Sequence, residues 1–417
     1  MAKKRLLSLI AMLLTVALLG AACGNSGAEQ QAAAQEAADT PTAVSAAADL
    51  RSGMTALLGE HVYLAALATG SALRGDTAGF NAWAAALNGE TDSNSADVVA
   101  AVRSAYGDDV GSAFDGLWRS ENHIPAFVRY TESIAKNDRA GADRAVADLT
   151  AYAKSFGETM NQVNDNLPAA AVEEGITMHA ETLIAVIDAQ KAGDQTAVYS
   201  GLREAYHHMD ELAATLAGAT VQKFPKKFEG DPSSKASELR AGMTSLLQEH
   251  VFLAASATGA ALGGRTAQFQ AAAAALNGET GSNSADVIGA IRSVYGDEVG
   301  NAFNGLWRSE GHIPAFVAYT QAVAKNDTAG AAKAVNDLMG YAATFGQTMN
   351  QVNDKLAAAD VEEAIKMHAT TLKAVVDAQK ARDAGTTATT LREAAHHMGD
   401  TAKVLAQATV EELPEKF

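Results

Sequence analysis

The strongest constraint on the fold is an internal duplication that covers most of the chain. Residues 49–228 align with residues 238–417 without a gap, and about two-thirds of the aligned residues are identical. The segment GLWRSENHIPAF, which begins at residue 116, returns as GLWRSEGHIPAF at residue 305. A repeat of this length indicates a duplicated domain and not a solenoid, whose units have about 20–50 residues. Residues 229–237, EGDPSSKAS, are interpreted as a polar linker between the two copies.

Each copy is predicted to be helical. Apolar residues recur at helical spacing over residues 49–72, where Leu50, Met54 and Leu57 share one face. Alanine is abundant, aromatic residues make up only 6% of the chain, and strand-like alternation is absent. The predicted fold class is therefore all-α, with two tandem homologous helical bundles, one per copy. Further helices in the first copy are predicted near 76–87, from 95, and at 124–136, 139–163, 170–192 and 195–222.

The N-terminus has the features of a bacterial export signal. A basic start at residues 2–5 precedes a short apolar run at 6–19, then three small residues and Cys23. This order resembles the processing site of bacterial lipoproteins, although the leucine of that site lies one place further from the cysteine than usual. Residues 1–22 are therefore predicted to be a lipoprotein signal peptide, Cys23 the lipid anchor and residues 23–48 a flexible tether. The sequence predicts a cell-envelope protein anchored to the extracytoplasmic face of a bacterial membrane.

Composition excludes several classes of function. The single cysteine lies in the predicted signal region, so a disulfide framework, a cysteine-ligated zinc site and an iron–sulfur cluster are excluded. The formal net charge of −17 argues against nucleic acid as a partner, because phosphate binding requires clustered lysine and arginine. Serine-hydrolase, P-loop, zinc-protease and dinucleotide-binding motifs are absent from the sequence.

The histidines are the best candidates for a functional site. The chain has 10, five in each copy, all at equivalent positions. Four per copy fall on apolar faces of four different segments, and so are predicted to converge inside each bundle. Because buried imidazoles need partners, each cluster is predicted to bind a transition metal, copper or iron, with haem a weaker alternative. The predicted ligands are His61, His123, His179 and His208, and in the second copy His250, His312, His368 and His397.

Neighbouring residues are predicted to support these ligands. The supporting set is Glu60, Glu204 and His207, with Glu249, Glu393 and His396 in the second copy. Glu204-x-x-His207 has the spacing of a di-iron carboxylate motif, but each copy has one such motif where a ferritin-like site needs two. Met178 and Met209 adjoin inward histidines. Adjacent residues on a helix diverge by about 100°, so both methionines are interpreted as core residues and not as copper ligands.

The segments LLGEHVYLAA and LWRSENHIPAF, the HHM triplet and the closing FPKKF carry a resemblance. They are similar to a group of secreted bacterial helical proteins that sometimes have a copper amine oxidase label. The resemblance covers each copy nearly end to end, and it implies a secreted helical protein without implying an activity. The oxidase label has no support in the residues, because those enzymes build a quinone from an Asn-Tyr motif and this chain has no Asn-Tyr pair.

Three functions follow from these patterns. The leading hypothesis is an extracytoplasmic lipoprotein that binds one transition-metal ion per copy, for capture, buffering or delivery, and that is not an enzyme. The first alternative is a metal-dependent oxidase that uses the same histidines and needs an open coordination position. The second alternative is a structural or adaptor lipoprotein of the envelope, with histidines that serve only a polar core layer.

Overall fold

The computed structural model describes residues 41–119, 123–309 and 311–417. Within these ranges the regular elements are all helices, so the all-α prediction is confirmed. The predicted signal peptide, Cys23 and the tether up to residue 40 lie outside the described residues.

Each copy contributes the same series of helices. In the first copy they are α1 (Ala46–Leu73), α2 (Thr77–Asn88), α3 (Asn94–Tyr106), α4 (Asp108–Arg119), α5 (Ile124–Lys136), α6 (Arg139–Val163), α7 (Ala169–Ala192) and α8 (Gln195–Lys223). In the second copy they are α9 (Lys235–Leu262), α10 (Thr266–Asn277), α11 (Asn283–Tyr295), α12 (Asp297–Arg308), α13 (His312–Ala324), α14 (Thr328–Val352), α15 (Ala358–Ala381) and α16 (Ala384–Glu412). A 3₁₀ turn at Pro414–Lys416 follows.

Short polar residues determine where several helices begin. Ser93 Oγ accepts the N–H of Ala96 at 3.1 Å and caps α3. Asp194 caps α8 in the same way, accepting the N–H of Ala197 at 3.0 Å. Pro125 lies in the first turn of α5, where no intrahelical donor is lost. These signals explain why the helices of the sequence prediction agree closely with those observed.

The end of α7 differs from the end of α15 in one informative way. Gly193 terminates α7 in the left-handed region with φ 74°, which glycine adopts without strain. The equivalent residue in the second copy is Arg382, with φ 58°. A side chain in this conformation costs about 1 kcal/mol, so the second copy keeps an arginine at a position that favours glycine.

The first helix of each copy is its central element. α1 contacts α2, α5, α7 and α8, and α9 contacts the equivalent helices of the second copy. α1 is long and apolar enough to cross a bilayer by length and composition, but 72% of its apolar segment is buried inside the protein. Its apolar faces therefore serve the core of the bundle.

The two copies pack together as one compact unit, residues 41–417. α1 packs along α9, α8 contacts α10, and α16 contacts α2. Tyr63 stacks on its own equivalent, Phe252, with ring centroids 4.7 Å apart and planes 9° apart. Equivalent residues meet in this way only near an axis that relates the copies, so an approximate twofold axis passes between these rings. The main hydrophobic core thus contains residues of both copies, and part of the second copy's core forms a separate cluster.

The last residues of the predicted tether belong to the folded unit. Ala43 is fully buried, and its carbonyl oxygen accepts a hydrogen bond from Arg240 Nη1 at 2.9 Å. Thr42 bonds to Gln407 at 3.2 Å. Both partners lie in the second copy, so an alignment of the copies could not place residues 41–48 in the fold.

Candidate metal centre

Three of the four predicted ligands of each copy come together in the core. His61, His123 and His179 each offer a ring nitrogen, and these atoms all lie within 4.8 Å of one another. The second copy repeats the arrangement with His250, His312 and His368. All six side chains are buried, with exposures of 2–4%. We call these groups the histidine triplets, and each can hold a metal ion.

Three elements position the first triplet. His61 lies on α1, His179 lies on α7, and His123 directly precedes α5. The ring centroid of His61 is 5.3 Å from that of His123 and 5.7 Å from that of His179. His123 Nδ1 donates to the carbonyl oxygen of Trp118 at 3.1 Å, which leaves its Nε2 lone pair available to a ligand.

Aromatic side chains hold the imidazoles in place. Trp118 packs 4.9 Å from His61 and 4.7 Å from His123, measured between centroids. Its indole N–H donates to Ser95 Oγ at 3.0 Å, so the tryptophan itself is fixed. Tyr152 stacks on His123 at 5.1 Å with the rings nearly parallel. This packing fixes the orientation of the three imidazoles.

Burial keeps the triplet histidines neutral. Loss of solvent lowers the pKa of His123 to about 4 and that of His179 to about 3. Burial, and then the neighbouring histidines, lower the pKa of His61 well below its usual value. In the second copy burial lowers the pKa of His250 to about 3 and that of His312 to about 4. Neutral imidazole is the form that binds metals, so the ligands remain competent in mildly acidic solution.

At least one imidazole nitrogen in each triplet lacks a hydrogen-bond partner. The Nδ1 atoms of His179 and His368 are buried and have no partner among the described residues. An unsatisfied buried polar atom is unfavourable, and native proteins contain few of them. A bound ion provides a physical reason for tolerating such a group.

Each triplet borders a small apolar cavity of about 80 Å³. Three methionines line the first cavity together with the histidines, namely Met54, Met160 and Met209, and their equivalents Met243, Met349 and Met398 line the second. Met178 and Met367, which adjoin triplet histidines in sequence, instead lie at the surface with exposures of 43% and 45%. The sequence analysis did not place Met54 and Met160, or their equivalents Met243 and Met349, beside the histidines. These methionines come from distant segments, and only the folded chain brings them together.

His208 and His397 are not in the triplets. His208 Nε2 lies 2.9 Å from the carbonyl oxygen of Gly175, and His397 Nε2 lies 3.0 Å from that of Ala364. The inward face of α8 is centred on Met209, which is 1% exposed. The sequence prediction placed that face one residue too early, so the histidine occupies the flank.

Two of the predicted supporting acids, Glu60 and Glu249, form ion pairs that join the two copies. Glu60 is fully buried and accepts Arg392 Nε at 2.9 Å and Arg392 Nη2 at 3.2 Å. His396 Nε2 lies 3.4 Å from the same carboxylate. Glu249 is paired with Arg203 and His207 in the equivalent way. Glu204 and Glu393 are exposed, so the di-iron spacing does not correspond to a site.

Asn94 contacts the triplet histidine His61, a supporting role that the sequence analysis predicted for Glu60. Its Nδ2 donates to Glu60 Oε2 at 2.9 Å and to the carbonyl oxygen of Leu57 at 2.8 Å. Its side chain also contacts His61 and raises that pKa, against the larger effect of burial. Asn283 makes the same bonds to Glu249 and Leu246. The sequence signal for these two asparagines was the segment SNSAD, which is identical at 93–97 and 282–286.

A second cluster has metal-like spacing but is satisfied by an arginine. Glu60, Asp97 and His396 have ligand atoms within 4.8 Å of one another. Arg392 lies among them, at 2.9 Å from Glu60 and 2.5 Å from Asp97. The guanidinium supplies the positive charge that a cation would supply, so this cluster is an ion-pair network between the copies.

No protein-family model, curated protein or solved structure matches this chain. The functional interpretation therefore depends on the geometry of the triplets and their surroundings.

Proposed function

We propose that this protein is an extracytoplasmic lipoprotein that binds two transition-metal ions, one in each histidine triplet, and that captures, buffers or delivers the metal. The observation that carries the proposal is the convergence, in both copies, of three buried, neutral imidazoles whose ring nitrogens lie within 4.8 Å of one another. A chain that needed only a well-packed core would be better served by apolar residues at these positions.

Copper, as Cu(I), is the ion that the surroundings favour. The triplets contain no carboxylate, the usual companion of histidine at non-haem iron sites. Three methionines line each cavity, and soft thioethers select Cu(I). A singly charged ion also pays a smaller desolvation penalty than a divalent ion in an apolar cavity without compensating anions. Haem does not fit the methionine-lined cavity, because about 80 Å³ is far smaller than the macrocycle.

The cellular location is proposed from the sequence alone. The basic start, the apolar run and the small residues before Cys23 support export and lipid attachment. Residues 24–40 would then connect the anchor to the folded unit. Expression of the chain with Cys23→Ala tests this proposal, with release from the membrane fraction as the expected result. Retention of that variant in the membrane fraction would contradict it.

Titration with Cu(I) in competition with a chromophoric chelator tests metal binding. We expect two ions per chain for the purified protein and one for the variant His123→Leu. The double variant His123→Leu, His312→Leu should bind none. His208→Gln is the matched control, since His208 lies outside the triplet, and it should keep two. Wild-type protein that takes up no copper, iron or zinc would overturn the proposal.

A metal-dependent oxidase at the same site is the second candidate. Three protein ligands leave a coordination position for a small molecule. In the first copy a second cavity, of about 580 Å³, borders His61 and is lined mostly by apolar residues, including Phe127 and Leu183. Oxygen consumption by the copper-loaded protein that disappears in His123→Leu would support an oxidase, whereas metal binding without turnover supports storage.

A further inference from the structure

A cleft lies between the two copies, away from the histidine triplets. It consists of two cavities of about 640 and 480 Å³ that share five residues, Leu67, Arg74, Ser256, Arg265 and Gln268. The walls come from α1, α2, α7 and α8 of the first copy and from α9, α10, α15 and α16 of the second. We call it the inter-repeat cleft, and a single copy cannot form it.

The inter-repeat cleft is basic in an otherwise acidic protein. Arg74, Arg265 and Arg382 line it, together with a single carboxylate, that of Asp76. Neither Arg74 nor Arg265 has a carboxylate oxygen within 4.0 Å among the described residues. The formal net charge of the chain is −17, so a local excess of unpaired guanidinium groups runs against its overall composition.

The two arginines at the centre repel each other. Burial, and then the positive charge of Arg265, lower the pKa of Arg74. The carboxylate of Asp76 offsets part of this effect on Arg74, but the two side chains do not form an ion pair. An anion placed between the two guanidinium groups would remove the repulsion and gain charge-assisted hydrogen bonds.

Both guanidinium groups are held in position with donors to spare. Arg265 Nε donates to Gln268 Oε1 at 2.7 Å, and its Nη2 donates to the carbonyl oxygen of Gly259 at 2.9 Å. Arg74 Nη2 donates to Ser71 Oγ at 3.2 Å. Since a guanidinium has five N–H donors, both keep unused ones. Gln268 in turn donates to the Tyr199 hydroxyl at 3.1 Å, which fixes the neighbouring wall.

The two copies differ at many of the residues that line the cleft. Every charged residue named above has an unlike equivalent, whereas the triplet histidines are the same in both copies. Seven pairs of equivalent residues in which both members line the cleft differ: Leu67 and Ser256, Arg74 and Gly263, Asp76 and Arg265, Gly79 and Gln268, Gly193 and Arg382, Gln195 and Ala384, Val198 and Thr387. A site near an approximate twofold axis must be asymmetric to bind one asymmetric ligand, and this divergence provides the asymmetry.

Arg382 adds an independent observation. It holds a left-handed backbone conformation with φ 58° at the position where the first copy has Gly193. Residues held in strained conformations of this kind cluster at active sites and ligand-binding sites.

We propose that the inter-repeat cleft binds one small organic anion per chain, through a carboxylate or phosphate group held between Arg74 and Arg265. The planar guanidinium fork suits both groups. The size of the cleft leaves room for the rest of an organic molecule beyond the anionic group. This site is separate from the triplets and does not depend on metal binding.

Calorimetric titration of the metal-free protein tests the proposal, with citrate, inorganic phosphate and chloride as separate probes at equal ionic strength. The variant His123→Leu, His312→Leu provides the same cleft without triplets, so chelation of a bound metal by citrate cannot contribute. We expect one site per chain for citrate or for phosphate and none for chloride. Preference between the two anions identifies the anionic group.

Substitutions then assign the site. Arg74→Gln and Arg265→Gln should each weaken binding at least tenfold, while Arg292→Gln, an exposed arginine paired with Asp297, should leave it unchanged. Circular dichroism checks that each variant is folded. Absence of binding by both anions, or equal affinity in wild type and the two cleft variants, would overturn the proposal.

Discussion

At the scale of single residues, the triplets combine good ligand geometry with poor intrinsic stability. The apolar faces of α1 and α7 predicted His61 and His179 correctly as inward residues, and both are buried in the structure. His208 was placed inward because it shares a helical row with Leu212, but the face of α8 is centred one residue later, on Met209. A periodic pattern defines a face only to about one residue, which is about 100° on a helix.

Replacing an unsatisfied triplet imidazole should stabilise the metal-free protein. We expect His179→Leu to raise the free energy of unfolding by about 1 kcal/mol, because a buried nitrogen without a partner is removed. The same substitution should abolish one metal site. Urea unfolding of the metal-free wild type and variant measures the change. A loss of stability above about 2 kcal/mol would mean that the imidazole is satisfied within the protein.

The metal-free protein should lose stability as the pH falls below about 6.5. The pKa of His179 is about 3 in the folded protein, whereas it is about 6.5 when unfolded, so the unfolded state binds the proton first. Each such histidine contributes a loss of up to about 1.4 kcal/mol per pH unit until its folded pKa is reached. His207 and His396, whose pKa values are raised by Glu249 and Glu60, oppose this trend but are two against six.

Urea unfolding at pH 7.5 and pH 5.5, without metal, measures this dependence. Wild-type protein should be markedly less stable at pH 5.5. His123→Leu, His312→Leu should reduce the difference because two titrating groups are removed. Equal stability at the two pH values would show that the triplet histidines are protonated in the folded protein.

At the scale of helices, most boundaries could be predicted and the partners of buried charges could not. The predicted helices at 124–136 and 139–163 coincide with α5 and α6. Caps and the proline of α5 are local signals, so a local pattern suffices. The partner of Glu60 is Arg392, 332 residues away, and no helical periodicity indicates which distant side chain a buried carboxylate will meet.

Removing the partner of Glu60 should be strongly destabilising. Arg392→Gln leaves a fully buried carboxylate with its principal positive charge missing, and we expect a loss of about 3–5 kcal/mol. Arg103→Gln is the matched control, because the pair of Arg103 with Asp108 is exposed and should contribute less than about 1 kcal/mol. Similar losses in both variants would show that Glu60 is solvated.

Close packing of α6 on α7 requires a glycine. A Cβ atom on Gly157 would clash with the carbonyl oxygen of Ala169, whereas one on Gly116, in α4, would meet open space. Gly157→Ala should therefore cost about 1–3 kcal/mol, since backbone must move. Gly116→Ala should stabilise by about 0.5–1 kcal/mol through the lower entropy of the unfolded chain. Thermal unfolding compares the two, and equal effects would contradict the packing.

At the scale of the whole molecule, duplication has produced two equivalent histidine triplets and one unique cleft. The repeat was evident in the sequence, but the packing of the two copies against each other was not. The side chains that meet between the copies look like ordinary core residues of a single copy. Tyr63 and Phe252 illustrate this, since each looks like an ordinary core aromatic of its own bundle. Only the folded chain reveals that they face each other.

Metal content and X-ray absorption of the protein isolated from its native envelope test the central claim most directly. We expect two copper ions per chain, each with three nitrogen neighbours at about 2.0 Å, as imidazole ligation requires. His123→Leu should lose one ion and leave the spectrum of the other unchanged. Protein isolated without near-stoichiometric metal, or with a metal that has carboxylate oxygens as its principal ligands, would contradict the assignment of the histidine triplets.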